Sequence, residues 1–211
     1  MVGYSGERSS SPTASHEVMM AVEISSLLIE LTSGDDHRAE QAVAELSLYG
    51  SEALPGLQLM LESNDSDKRW WAIRCLAQME NPPVNLLIRS LADAFQEVRQ
   101  CAALAISHHP DFGAINDLFG LLSEHESVTT NLAATALVAI GKDAIPGLLD
   151  LLPSLKGISR VEAFRAIACI ADQRAIPILM SALDEDSLTI NYWAEEGLNR
   201  LGLDMVYMKP D

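Results

Sequence analysis

Five stretches of the sequence share one pattern, and that pattern decides the fold: SEALPGLQLML (51–61), NPPVNLLIRSL (81–91), FGAINDLFGLL (112–122), DAIPGLLDLL (143–152) and RAIPILMSAL (174–183). Each begins with a small or proline-containing turn and continues with apolar residues at helical spacing. The last leucines of these stretches, together with Leu31 earlier in the chain, recur at steps of 30, 30, 31, 30 and 31 residues. We call these six residues the reference leucines: Leu31, Leu61, Leu91, Leu122, Leu152 and Leu183. A period of this length predicts stacked structural repeats.

A second helical stripe follows each reference leucine. An alanine stands eleven positions after it in every repeat: Ala42, Ala72, Ala102, Ala133, Ala163 and Ala194. A leucine or isoleucine stands fifteen positions after it: Leu46, Leu76, Ile106, Leu137, Ile167 and Leu198. Positions four apart lie on one face of a helix, and a methyl group suits a place where two helices approach closely. The sequence therefore predicts an all-α chain of six helical hairpins that stack side by side.

The hairpins carry L-P-x-L in the first helix and V-R-x-x-A-x-x-A-(L/I) in the second. The best matches to the second motif are KRWWAIRCLA (68–77) and EVRQCAALAI (97–106). On these motifs the sequence resembles HEAT repeats, and its short unit resembles the bacterial phycobilisome-lyase HEAT-like type. The resemblance implies a right-handed α-α superhelix, or solenoid, in a family that consists mostly of binding scaffolds.

The predicted organisation has three parts. Residues 1–17 are rich in Ser and Gly without periodicity, which predicts a disordered tail. Residues 204–211 are predicted to fold back as a cap over the last apolar edge, since solenoids need capped ends. The residues between them form the six repeats, at about 18–50, 51–80, 81–110, 111–141, 142–172 and 173–203.

Composition excludes several classes of partner. The 211 residues include 14 Lys and Arg against 30 Asp and Glu, which gives a net charge of −16. Such a chain can hardly assemble the positive surface that nucleic acids or anionic membranes require. No uncharged stretch is long enough to span a bilayer, and the N-terminus lacks the apolar segment of a signal peptide. Three cysteines without a CxxC motif favour a reducing compartment, so we expect a cytoplasmic protein.

Catalytic and metal-binding patterns are absent from the sequence. It contains no GxSxG motif and no glycine-rich phosphate loop. The cysteines all fall in second helices, where small buried side chains are typical. The pairs His16-Glu17 and His125-Glu126 occupy different repeat positions, so they predict no symmetric metal pocket. We therefore expect no catalytic residue, no metal and no cofactor, and we favour a protein that is not an enzyme.

A binding surface is predicted on the side of the second helices opposite the alanine stripe. Positions 9, 13 and 16 after each reference leucine lie about 140–200° from that stripe. The resemblance implies that second helices line the concave face of the solenoid. Aromatic residues and arginines, which are typical of interface hot spots, occur there, and we expect the arginines to bind carboxylates. The predicted binding residues are Trp70, Arg74, Gln100, Leu104, Asn131, Arg165, Tyr192 and Glu196.

The leading interpretation is a non-enzymatic scaffold that binds a protein or peptide on this concave face. Trp70 and Tyr192 are four helix layers apart, about 40 Å, which no small molecule spans. A second interpretation, implied by the resemblance, is a bilin lyase-like subunit that handles phycobiliprotein chromophores. In that case Trp70 would stack on a bilin ring and Arg74 would bind a propionate. A third is an assembly factor or chaperone with an acidic binding edge.

Overall fold

The computed structural model describes residues 12–124 and 126–203. In these residues all regular structure is helical: twelve α-helices, some preceded or followed by a short 3₁₀ turn, with no β-strand. The helices form six consecutive hairpins, so the predicted all-α solenoid of helical repeats is confirmed. The chain divides between Asn81 and Pro82 into two compact units, which are described separately below.

The first unit contains four helices, which form two hairpins. They are α1 (Pro12–Glu30), α2 (Asp36–Tyr49), α3 (Leu54–Leu61) and α4 (Ser66–Gln78). Helix α1 packs against α2, and α3 packs against α4. The second helices α2 and α4 also pack against each other, as expected for repeats that bury their apolar stripes on their neighbours.

The second unit contains the remaining eight helices. Its first helices are α5 (Val84–Ser90), α7 (Ile115–Leu122), α9 (Ile145–Leu151) and α11 (Ile176–Ala182). Its second helices are α6 (Gln96–His108), α8 (Ser127–Ile140), α10 (Gly157–Ile170) and α12 (Leu188–Arg200). Each first helix packs on its own second helix, and the second helices pack in the order α6, α8, α10, α12. The second helices therefore form one continuous layer in this unit.

The structure changes the predicted boundary of the N-terminal tail and does not describe the predicted C-terminal cap. Helix α1 begins at Pro12, so residues 12–17 are helical, although the sequence analysis placed them in the tail. Proline is compatible with the first turn of a helix because its missing N–H would have no partner there. Residues 1–11 of the predicted tail and the predicted cap, 204–211, lie outside the described residues.

The two columns that define the repeat form the core. Every alanine of the eleventh-position column and every leucine or isoleucine of the fifteenth-position column is buried. Prolines stand in the first turns of α3, α9 and α11, as their positions in the sequence predict. Gly50, Gly141 and Gly202 have positive φ after a second helix, which is also as predicted. In the fifth repeat Ala171 takes this place in the left-handed conformation, with φ of 51°. A residue with a Cβ is strained there.

Helices α10 and α12 approach each other closely at Gly197 of α12. A Cβ built on Gly197 would lie 3.0 Å from the Cα of Ala168 in α10 and 2.9 Å from Cδ1 of Leu179. Ala168 stands at a sixteenth position, which the sequence analysis expected to face outward, yet it is fully buried. That expectation is wrong at this position because the missing side chain at Gly197 lets α12 cover Ala168.

Carboxylates cap several second helices. Asp35, Asp65 and Glu126 accept hydrogen bonds from backbone N–H groups in the first turns of α2, α4 and α8. The Glu126 side chain lies 3.0 Å from the N–H nitrogen of Val128 and 2.7 Å from that of Thr129. These bonds stabilise the charged form and lower the pKa of Glu126 to about 2. Part of the acidic charge therefore has a structural role.

Substitution of two helical glycines by alanine should have opposite effects on stability. A Cβ at Gly120 in α7 meets nothing within 4 Å, so Gly120→Ala should raise the free energy of unfolding by about 0.5–1 kcal/mol. Gly197→Ala gains the same helix propensity but crowds the Ala168 backbone, so it should lower that free energy by about 1 kcal/mol. Urea unfolding of both variants beside the wild type measures the difference. Equal stabilisation by both would show that the α10–α12 approach has room for a methyl group.

The charge of Glu126 should make stability depend on pH. Its pKa is lower in the folded state than the ordinary value of 4.5, so its contribution is fully present above that value. The contribution is lost as the pH falls through the folded value of about 2. Glu126→Gln should therefore have a lower free energy of unfolding than the wild type near neutral pH. The difference in this free energy, measured by urea unfolding, should become smaller as the pH falls from 4.5 to about 2. A difference that stays constant with pH would rule out the charge as its cause.

Candidate functional site

The predicted binding residues all lie on second helices, at the ninth or thirteenth position after a reference leucine. We call the surface formed by these positions within a unit the second-helix face of that unit. None of the predicted residues on it is buried; the exposed fraction reaches 46% for Leu104 and 57% for Tyr192. Trp70 and Arg74 belong to the first unit, and the other six belong to the second.

In the first unit, Arg74 of α4 forms an ion pair with Glu40 of α2. Its Nε lies 3.2 Å from Oε1 of Glu40, and its Nη2 lies 3.1 Å from Oε2. Both carboxylate oxygens are therefore held by one guanidinium, the two-point geometry in which arginine binds carboxylates most strongly. Arg74 and Glu40 stand 34 residues apart, at the thirteenth position of the second repeat and the ninth position of the first.

Trp70 is half-buried and packs beside the next residue. The rings of Trp70 and Trp71 meet edge to face with centroids 4.8 Å apart. Trp71 lines a cavity of about 290 Å³ between the turns of the first two repeats, together with Asp35 and Lys68. Both tryptophans of this pair are half-buried, and the pairing orients the ring of Trp70.

In the second unit, Arg165 and Asn131 are brought together by a buried carboxylate. Glu162 accepts a hydrogen bond from Nε of Arg165 at 2.6 Å and one from Nδ2 of Asn131 at 3.4 Å. Nη2 of Arg165 also donates to the backbone oxygen of Asn131 and to Oγ1 of Thr135, each at 3.1 Å. A buried carboxylate needs such partners because it has lost its hydration. This network links α8 to α10.

Gln100 and Glu196 are also engaged within the chain. Nε2 of Gln100 donates to Oε2 of Glu126 at 3.1 Å and to Oγ1 of Thr129 at 3.0 Å, so its side chain turns toward the cap of α8. Oε1 of Glu196 accepts from Nε of Arg200 at 2.7 Å, one turn further along α12. Both residues lie on the predicted face, but their polar groups already have partners.

Leu104 and Tyr192 are the exposed large hydrophobic residues among the predicted ones on this face. Leu104 lies on α6, and Tyr192 lies on α12 with its ring 5.0 Å from that of Trp193. Helix α8, between these two in the layer, carries no charged residue. Both arginines of the predicted site bind carboxylates of the chain itself. We expected them to bind carboxylates of a partner. To do so, either arginine would first have to break its ion pair with the glutamate of this chain.

Two residues that organise the site, Glu40 and Glu162, are not among the predicted binding residues. Glu162 did give a signal. It stands at the tenth position after its reference leucine, where the other repeats of this unit have Cys101, Leu132 and Trp193. A carboxylate in an otherwise apolar column indicates a buried polar network. Glu40 gave no such signal, since its own column is mixed.

Reactive groups are few in the described part of the chain. Burial raises the pKa of the Cys75 thiol to about 12, so it is protonated at neutral pH and is a poor nucleophile. Across residues 12–124 and 126–203, no three His, Cys, Asp or Glu side chains are placed to hold a metal ion. In the same residues no single helix has the length and apolar composition to cross a membrane. The segments Ser127–Ile140 and Lys142–Ser154 have that length and composition only when they are taken together, and the pair is bent by 115°.

Two solved structures show the same architecture. A designed armadillo repeat protein in complex with peptide (KR)4 covers 85% of this chain and 99% of its own, with a TM-score of 0.56 and 20% identity. An engineered protein covers 85% of this chain and 98% of its own, with a TM-score of 0.57 and 22% identity. At this identity the likeness concerns the fold, an α-solenoid of helical repeats.

Two curated proteins are similar in sequence. The phycocyanobilin lyase subunit beta of Nostoc sp. is 31% identical over 114 residues, 53% of this chain and 56% of that protein. The phycobilisome maturation protein of Synechococcus elongatus is 32% identical over 105 residues, 49% of this chain and 50% of that protein. The chain thus spans about half the length of either relative, and no family model matches it. With the structural likenesses, these similarities support a HEAT-like repeat protein.

Proposed function

We propose that this chain is a helical-repeat scaffold that binds a phycobiliprotein, or a precursor of one, through the second-helix face of its second unit. The observation that carries this proposal is the exposure of Leu104 and Tyr192 on a face whose charged side chains are already paired. The class of partner is suggested by the names of the two relatives, a lyase subunit and a maturation protein. A cytoplasmic location is consistent with three free cysteines.

Contacts on this face should be mainly apolar and hydrogen-bonding. The ion pair of Arg165 and Glu162 is largely buried, so a partner gains little by competing for either charge. An exposed leucine and an exposed tyrosine offer area that loses water on docking, and tyrosine combines apolar area with a hydroxyl group. The affinity of this face for its partner should therefore depend only weakly on salt.

A bilin lyase-like role is the second candidate, and the name of the Nostoc relative favours it. Trp70 retains exposed ring surface on which a tetrapyrrole ring would stack. Against this role, the guanidinium of Arg74 is held at two points by Glu40, so it is not available to a propionate without breaking that pair. We therefore place chromophore handling second to protein binding.

The second-helix face is tested by a double substitution with a matched control. Leu104→Ala/Tyr192→Ala should weaken binding to purified phycocyanin subunits about tenfold or more, because the exposed apolar contacts are lost. Phe112→Ala removes an exposed ring, 74% accessible, that lies outside this face, and it should leave the affinity unchanged. Isothermal titration calorimetry measures the three affinities, with helicity checked by circular dichroism. Equal binding by the double variant and the wild type would refute the proposed face.

The bilin alternative is tested with phycocyanobilin alone. We expect the wild-type protein to leave the visible spectrum of the pigment unchanged, since Arg74 is occupied. Glu40→Gln removes the competing carboxylate and is the variant in which a spectral shift would first appear. A shift with the wild type that is lost in Trp70→Ala would contradict our ranking and favour the lyase-like role.

A further inference from the structure

A row of exposed apolar side chains runs along one edge of the second unit, where each first helix turns into its second helix. Each of the four repeats of this unit contributes one residue, and we call the set the turn row: Phe95, Val128, Ile158 and Leu188. These residues lie at the N-terminal ends of α6, α8, α10 and α12, which pack consecutively. Each repeat of this unit thus exposes one apolar side chain at this edge, at the fourth to sixth position after its reference leucine, whereas the second-helix face uses the ninth and thirteenth positions.

Apolar residues at these positions are not what helix formation favours. The start of a helix is stabilised by polar or acidic side chains. Phe95 stands at the N-cap position of α6 without a side-chain capping bond, and Leu188, the first residue of α12, is 87% exposed. In the first unit the fourth to sixth positions after the reference leucine are all polar: Asp35, Asp36, His37, Asp65, Ser66 and Asp67. The repeat itself thus does not require an apolar residue here, and exposed apolar rows commonly mark interaction surfaces.

Hydrogen bonds between the turns hold this edge in place. Nη2 of Arg99 lies 3.0 Å from Oε2 of Glu124 in the next turn. Oγ of Ser159 donates to the backbone oxygen of that same Glu124 at 2.9 Å. Nη2 of Arg160 lies 2.6 Å from Oε1 of Glu185 in the last turn. Four successive turns are linked in this way, so the row is formed before any partner arrives.

The charge around the turn row is negative. The segments 92–99, 123–130, 153–160 and 184–191 contain seven carboxylates and three cationic side chains. Two of the cations, Arg99 and Arg160, are paired with Glu124 and Glu185. Exposed carboxylates remain beside the row at Glu97, Asp184 and Asp186. A partner that covers the row is therefore attracted if its own surface is basic.

We propose that the turn row is a docking surface for a basic amphipathic helix of a partner protein. Neighbouring helices pack roughly 10 Å apart, which sets the spacing of the row. One heptad of an α-helix rises about 10.5 Å, so a helix lying across the turns can place one apolar residue over each member. Lysines and arginines on its flanks would then face the carboxylates. This inference does not depend on the proposed role of the second-helix face.

The test uses a lysine-rich peptide of about 21 residues with leucines along one helical face, labelled for fluorescence anisotropy. The full-length protein should bind it, and the affinity should fall as salt is added. A scrambled peptide of the same composition should bind about tenfold more weakly, because its leucines no longer share a face. Circular dichroism should show that the peptide gains helicity on binding.

Matched variants place the site on the protein. Val128→Ser/Leu188→Ser should weaken peptide binding about tenfold or more. Leu48→Ser removes a leucine of equal exposure, 86%, from α2, and it should bind like the wild type. Leu104→Ala/Tyr192→Ala, on the second-helix face, should also bind like the wild type. Unchanged thermal unfolding of each variant shows that a loss of binding is not a loss of folding.

Several results would overturn the inference. They are no binding of the amphipathic peptide, equal binding of the scrambled peptide, or a bound peptide that stays non-helical. Loss of binding in Leu104→Ala/Tyr192→Ala but not in Val128→Ser/Leu188→Ser would move the site to the second-helix face. Sedimentation gives a further check. If the wild type is a dimer that Val128→Ser/Leu188→Ser dissociates, a second copy of the chain covers the row instead.

Discussion

Close packing between second helices is the constraint on which the rest of the structure depends. It requires small side chains at fixed places, and the alanine found eleven positions after each reference leucine is buried in all six repeats. Where α12 meets α10, even a methyl group on Gly197 would crowd the backbone of Ala168. With contacts this short, any side chain that points along the layer must fit a neighbouring repeat. Arg74 and Arg165 accordingly have hydrogen-bond partners on the second helix of the preceding repeat.

That constraint gives the second-helix face and the turn row different physical characters. On the second-helix face of the second unit, Arg165 binds a glutamate of the chain, whereas Leu104 and Tyr192 are exposed. On the turn row, the arginines also bind carboxylates, but further carboxylates remain exposed beside apolar side chains. Docking on the first surface should respond weakly to salt, whereas docking on the second should respond strongly. The two surfaces are thus separable in one binding experiment.

Much of the fold is predictable from the sequence because it follows from periodicity. The alanine column, the prolines in first turns and the glycine at position 141 each mark a local rule that the structure obeys. Contacts that depend on side-chain conformation are harder to predict from the sequence. The Arg74–Glu40 pair joins residues 34 positions apart, and no spacing rule fixes that both side chains lean toward each other. Ala171 shows the same limit, since its left-handed backbone is imposed by the repeat and not by its own preference.

Glu162 explains why arginines on this kind of face are a poor guide to the partner. A carboxylate in the tenth-position column is removed from water by the neighbouring helix, and desolvation disfavours it unless donors replace the water. Arg165, one turn along the helix, supplies the shortest of these bonds at 2.6 Å. An arginine recruited for that purpose appears in the sequence as an exposed cation in a groove, although its charge is already satisfied. On the proposed surface a partner would then meet uncharged side chains, Leu104 and Tyr192, rather than the arginine.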